Sequence, residues 1–143
     1  MAVLEDDGAI RDLLERTRVI AVLGIKAGER DEAHRVPRYM QNAGYRIVPV
    51  NPKLERVLDE PVAARLAAID EPFDLVNVFR DARHLPAHVD EILALPRHPA
   101  AVWFQLGIRD DASAARLAAA GLDVVQDRCL MVEHRRLLGG VSA

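Results

Sequence analysis

Short aliphatic runs alternate along this chain with longer stretches in which apolar residues recur every three or four positions. The runs are Val19–Leu23, Arg46–Val50, Asp74–Phe79, Ala100–Leu106 and Asp123–Gln126. A run that is apolar at consecutive positions suits a strand buried on both faces of a parallel sheet. The periodic stretches predict helices between them. Residues 5–16 carry Ile10, Leu13 and Leu14 on one stripe, with Asp6 or Asp7 as cap. Residues 33–43 carry Val36, Tyr39, Met40 and Ala43, and Gly44 suits the left-handed position after a helix end. Val62–Ile69 reads as a short helix, and 83–95 as a longer one built on Leu85, Val89, Ile92 and Leu93. Asp110 or Asp111 starts a helix running through Ala114, Leu117 and Ala118 to Gly121, and Cys129–Leu138 forms the last, closed by Gly139 and Gly140.

Strands alternating with helices at this spacing give an α/β fold. With right-handed crossovers it is a three-layer Rossmann-like domain with a five-stranded parallel sheet, and the expected strand order is 3-2-1-4-5. No linker, repeat or low-complexity segment divides the chain, so residues 1–143 read as one domain. Two prolines sit awkwardly. Pro37 lies inside a helical pattern and is tolerated only if the helix starts shortly before it. Pro49 lies inside the second strand and needs either a local break or a position where its missing N–H points away from a partner.

Composition narrows the class. Half the residues are hydrophobic but only 4% are aromatic, so the core is aliphatic. No apolar run approaches the roughly 18 residues of a membrane span. The start, Met1 to Asp7, lacks a basic segment followed by an apolar one, so no signal peptide is expected and a cytoplasmic location is. A single cysteine, Cys129, excludes an internal disulfide and a cysteine-rich metal site. The net charge of −3 without a basic block argues against nucleic acid as a partner.

The candidate chemistry lies where strands end. The turn after the first strand, Gly24-Ile25-Lys26-Ala27-Gly28, has the form of a phosphate-binding strand–turn–helix opening, although Lys26 stands where the second glycine of G-x-G-x-x-G would be. In the expected sheet a ligand would lie at the switch between strands one and four. Each strand is followed by a cation: Lys26, Lys53, Arg80, Arg109 and Arg128. These could neutralise a ligand of several phosphates, or pair with Asp81, Asp110 and Asp127. After the second strand an NAD site expects an acid, whereas Asn51-Pro52-Lys53 offers a lysine. A lysine suits a phosphorylated ribose, and both NADP and coenzyme A carry one. His34 and Arg35 at the start of the second helix are candidates for a phosphate contact.

Several pieces together carry a resemblance: Ile20–Gly24, Val36–Tyr39, Gly44–Arg46, Val48–Pro52, Val78–Arg80, Val102–Ile108 and Asp127–His134, spread in order over about residues 10–138. The chain resembles the small stand-alone CoA-binding domain proteins, which are similar to the N-terminal domain of the succinyl-CoA synthetase α subunit. The resemblance implies coenzyme A or an acyl-CoA lying across the strand ends. Gly24, Ile25, Lys26 and Ala27 would sit at the phosphates, Asn51, Pro52 and Lys53 near the adenosine, and Phe79 and Arg80 along the middle. Gln105 and Gly107 would lie towards the pantetheine arm. The first loop departs from the family pattern by carrying Glu29, Asp31 and Glu32.

No catalytic constellation is visible. The synthetase's phosphorylated histidine belongs to a second domain, to which none of the five histidines here can be matched. His84, His88 and His98 read as solvated, and Glu133 and His134 as fixing the last helix. No metal spacing or nucleophile elbow is present. Cys129, at a helix start beside Arg128, is either a buried small hydrophobe or a thiol close to the CoA thiol. The reading is therefore a CoA-binding protein that is not an enzyme, with its acyl group and protein partner open. The alternatives are an NADP-dependent oxidoreductase fragment and an interaction domain without a ligand.

Overall fold

The computed structural model describes residues 2–139; Met1 and residues 140–143, Gly140 among them, lie outside the described residues. Five parallel strands form one sheet: β1 (Val19–Leu23), β2 (Arg46–Val50), β5 (Leu75–Val78), β6 (Ala101–Phe104) and β7 (Asp123–Val125). A small antiparallel hairpin, β3 (Arg56–Val57) with β4 (Glu60–Pro61), interrupts the crossover between β2 and β5. The helices are α1 (Asp7–Arg16), α2 (Glu32–Asn42), α3 (Leu85–Leu93), α4 (Asp111–Ala119) and α5 (Leu130–His134), the last running on into a π-helical turn over Arg135–Gly139. The expected helix at Val62–Ile69 is reduced to a single 3-10 turn, Leu66–Ala68. Ala63, just before it, is bonded to the edge of β2 instead, which holds that part of the chain extended.

The layers follow from alternation along the strands. Ile20, Val22, Leu75, Trp103 and Val125 face one side, where they meet Leu13 and Leu14 of α1, Val36 and Met40 of α2 and Leu130 of α5. Their neighbours Ala21, Leu23, Val76, Val102 and Val124 face the other side, against Leu85, Val89 and Ile92 of α3 and Leu117 of α4. Burial on both faces explains why these strands lack a polar side. Among the described residues no helix is long and apolar enough to cross a membrane.

The strand order corrects the expectation. It runs β2-β1-β5-β6-β7, or 2-1-3-4-5 in sequence order, rather than 3-2-1-4-5. Pro49 supplies the physical reason. Along β2 the inward positions bond to β1, as Gly24 N–H does to Val50 O, while Pro49 O and Asn51 N–H point outwards and bond to Ala63. The nitrogen of Pro49 faces outwards with its carbonyl. A central β2 would need an N–H there for the next strand, so β2 takes the edge. Pro37 is accommodated in a similar way. It lies five residues into α2, and Ala33 O, which an N–H at position 37 would have engaged, accepts from Lys26 N–H at 3.3 Å instead.

Candidate functional site

The 2-1-3-4-5 order places the topological switch between β1 and β5, not between the first and fourth strands. Beside that switch, at the carboxyl ends of β1, β2 and β5, opens a cleft of about 300 Å³. Gly24 forms its inner corner. The residue has φ of +91°, and a Cβ there would lie 2.7 Å from Phe79 O. Only glycine allows β1 to turn this close to β5. The stem of Arg80 crosses the same spot, with its Cδ 3.2 Å from that Cβ position.

Three bonds hold the loop after Gly24. Asn51 Nδ2 donates to Ile25 O at 2.7 Å, His34 Nδ1 lies 2.9 Å from Lys26 O, and Lys26 N–H reaches Ala33 O. Asn51 also accepts from Lys53 N–H at 2.8 Å, which closes an Asx turn around Pro52. Asn51 thus ties the β1 loop to the β2 loop, and His34 is a support for Lys26 from beneath, itself buried.

Lys26, Lys53 and Arg80 line the cleft, and so does Arg65, on the crossover segment. Among the described residues none of these four side chains is hydrogen-bonded or ion-paired. The acids of the first loop do not fill this space. Asp31 accepts from Ala33 N–H at 2.9 Å and so caps α2, with Glu32 in the first turn of that helix. The same cap occupies a donor that the sequence reading had offered to a phosphate. Leu23, Val50, Pro52, Ala64 and Phe79 give the cleft apolar walls.

Other expected site residues stand elsewhere. Gly24, Lys26, Asn51, Pro52, Lys53, Phe79 and Arg80 come together at the cleft; Ile25, Ala27, His34, Arg35, Gln105, Gly107 and Cys129 do not line it. Ile25 is part of the core, and Ala27 and Arg35 are exposed. Gln105 is buried at the end of β6, where its Oε1 accepts from Leu130 N–H at 3.2 Å. Gly107, with φ of +87°, donates to Asp127 Oδ1 at 2.7 Å. Cys129 is buried within the same core cluster as Trp103 and Leu130, which favours the small-hydrophobe reading of this thiol.

Besides the strand residues Leu23 and Val50, four lining residues are not among the expected site residues: Ala64, Arg65, His88 and Glu91. The first two lie in the segment expected to be helical. His88 was expected to be solvated, but the ring lies against Glu91, with Nδ1 3.3 Å from Oε1, and its Nε2 is buried without a partner. The hydrogen bond from His88 holds the Glu91 carboxyl below its ordinary range, against the opposing effect of burial, and Glu91 Oε2 also accepts from Leu66 N–H. Position 88 follows Leu85 by three and precedes Glu91 by three, so helical periodicity alone would have placed these polar residues on one side.

Known proteins share this architecture. The family model described as a CoA binding domain matches residues 18–135. The uncharacterized protein YneT of Bacillus subtilis is 35% identical over 125 residues, which cover 87% of this chain and 91% of that one. A Thermus thermophilus protein of solved structure is 43% identical with a TM-score of 0.88, covering 94% of this chain and 100% of its own. A hypothetical protein from Pyrococcus horikoshii OT3 is 31% identical with a TM-score of 0.88, covering 94% of each chain.

Proposed function

The chain belongs to the CoA-binding domain family, and on that premise we propose that it binds coenzyme A or an acyl-CoA in the cleft beside Gly24 and performs no chemistry of its own. The observation that carries the reading is the set of unpaired cations, Lys26, Lys53, Arg65 and Arg80, around an apolar slot at the β1–β5 switch. Four positive groups around one concavity, set against the single lining carboxylate of Glu91, leave an excess of positive charge that an anion would neutralise. Coenzyme A brings a pyrophosphate and a ribose 3′-phosphate, and so several charges to match.

The residues present fit such a ligand. Gly24 lets β1 turn close against β5 at the inner corner of the cleft, and Lys26 and Lys53 lie on loops tied down by Asn51 and His34 rather than free to collapse. No acid directly follows β2 to take ribose hydroxyls in the manner of an NAD site; Asn51-Pro52-Lys53 stands there. Titratable and nucleophilic groups at the far end of the sheet are engaged in structure. His134 Nδ1 lies 2.8 Å from the Tyr39 hydroxyl, and Glu133 pairs with Arg128 and Arg136. A protein of this kind would carry, buffer or present the thioester.

Thermal unfolding with equal concentrations of CoA, acetyl-CoA, NAD and NADP tests the proposal. A ligand that binds only the native state raises the midpoint by mass action. The CoA compounds are expected to give the largest shift, and an equal or larger shift with NADP would overturn the CoA reading in favour of a dinucleotide. Acyl-CoA incubated with the protein is expected to hydrolyse at the background rate.

A further inference from the structure

Asn51 lines the cleft, yet its polar groups are engaged with the backbone of three different segments. Nδ2 donates to Ile25 O at 2.7 Å, and Oδ1 accepts from Lys53 N–H at 2.8 Å. Its own N–H donates to Ala63 O at 3.0 Å. The partners fix which way the amide points. Turned over, it would set its oxygen against the Ile25 carbonyl and its NH2 against the Lys53 N–H.

These bonds fall on the peptides that carry the cations. Ile25 O and Lys26 N–H belong to one peptide unit, held at one end by Asn51 and at the other by Ala33 O of α2. The Lys53 N–H is held by the same amide, within the Asx turn. Ala63 bonds to Asn51 and Pro49, and Arg65 follows it by two residues. Lys26 and Lys53 are both exposed and belong to separate loops. Two separate loops would each lose backbone freedom when a ligand orders them. One amide spanning both removes that cost beforehand and sets the spacing of the two lysines.

Taking the cleft as the phosphate site proposed above, on which this step rests, we infer that Asn51 is a positioning residue that couples Lys26 to Lys53, so that the two lysines meet a polyanion as one unit. Asn51 acts through the backbone of the lysines, not through a contact of its own to the ligand. The class of ligand that gains carries two separated phosphate groups, as CoA does in its pyrophosphate and 3′-phosphate. A ligand with one such group engages only one of the lysines.

Isothermal titration of CoA and dephospho-CoA against Asn51→Ala, Lys53→Ala and the double variant tests the coupling. Asn51→Ala is expected to weaken CoA by about 100-fold, two charge-assisted contacts of about tenfold each, and to erase most of the preference over dephospho-CoA. Lys53→Ala added to it is expected to cost no more than about twofold. Asn51→Ser grades the effect. A serine hydroxyl can still accept from Lys53 N–H in the turn but is too short to reach Ile25 O. It is expected to weaken both ligands by about tenfold and keep part of the preference, with Lys26→Ala adding no more than about twofold. This second cycle decides the matter if Asn51→Ala fails to fold. Losses that multiply in either cycle, or an Asn51→Ala variant with the full preference, overturn the inference. CoA bound with multiplying losses removes the coupling and keeps the CoA reading. NADP bound in place of CoA, with losses shared between Asn51 and the lysines, keeps the coupling and removes the CoA reading. Failure of both ligands removes both.

Discussion

The carboxyl edge of the sheet has two halves that the sequence makes look alike. Cations follow β1, β2 and β5 on one side and β6 and β7 on the other. In the first half Lys26, Lys53 and Arg80 stand unpaired around a cleft. In the second half the equivalents are consumed. Arg109 lies 3.2 Å from Asp111, and Arg128 pairs with Glu133 at 2.9 Å while donating to Glu5 O. Asp127 holds Gly107, Gln126 accepts from Asp110 N–H, and Trp103 Nε1 donates to Arg128 O. The second half is closed by its own hydrogen bonds, and the first is left with charge to spare. A cation after a strand is a site residue only if nothing local neutralises it.

Glycines sharpen the contrast most. Gly24 and Gly107 both have positive φ, but a Cβ at Gly24 would meet Phe79 O at 2.7 Å and one at Gly107 would meet nothing within 4 Å. Gly24→Ala is expected to cost roughly 2–4 kcal/mol, from left-handed strain plus a backbone collision, and to abolish CoA binding. Gly107→Ala is expected to cost only about 1–2 kcal/mol and leave binding intact. Thermal unfolding and titration of the two variants side by side measure this. Equal effects on binding would erase the distinction between the halves.

The cations give the next largest difference. Arg80→Ala is expected to weaken CoA by about 10- to 100-fold, the range of a charge-assisted hydrogen bond, and to make binding less sensitive to salt. Arg109→Ala is expected to leave affinity unchanged. Titration at two ionic strengths checks both, and a comparable loss with Arg109→Ala would extend the site across β6.

In the closed half the expected effects are on stability. Burial pushes the Glu133 carboxyl up, but hydrogen bonds from Arg136 and Arg128 outweigh it and hold it below its ordinary range. A depressed carboxylate stabilises the fold above its unfolded-state pKa, and the contribution fades as pH falls through the folded value. Arg128→Ala is expected to cost roughly 1–2 kcal/mol at neutral pH and to move acid unfolding to higher pH. His134 adds a second acid limb. Burial pushes its pKa below 6.5, so the unfolded chain takes up a proton first and stability falls as pH drops below about that value. Denaturant titrations between pH 4 and 8 detect both, and His134→Gln should remove the upper limb alone.

Much of this was legible in the residues. The five strands fall within the expected runs because burial on both faces leaves a continuous apolar signature. The order was not read correctly, although Pro49 held the information: a strand that lacks an outward N–H belongs at an edge. Gly24, Asn51 and Lys53 were found because they follow strands, whereas Arg65 was hidden in a segment whose Val62, Leu66 and Ile69 mimic a helix. That segment is extended because Ala63 bonds to the β2 edge, a non-local contact that no local pattern reports. Gln105 and Gly107 are placed at the ligand by the family resemblance and Cys129 by its helix start beside Arg128, and the structure gives them local partners or burial.

The smallest expected effect tests how finely the open half reads its ligand. Lys53 is exposed and is presented by the turn that Asn51 closes. In a sheet of this kind the adenosine ribose lies beside the end of the second strand, so the 3′-phosphate is within the reach of this residue. An ammonium–phosphate contact contributes roughly 1.5–3 kcal/mol when well made, and exposure draws it to the lower end. Lys53→Ala is therefore expected to weaken CoA about tenfold and leave dephospho-CoA nearly unchanged. Arg65 is the competitor, since it lines the same cleft from the crossover segment. Its planar guanidinium would grip a phosphate through two nitrogens, which a lysine cannot do. Titration of both ligands against Lys53→Ala and Arg65→Ala closes the cycle. A phosphate-specific loss at Arg65 with none at Lys53 moves the 3′-phosphate to the crossover side. Equal losses for the two ligands at either residue would assign that cation to the pyrophosphate, because both ligands carry it.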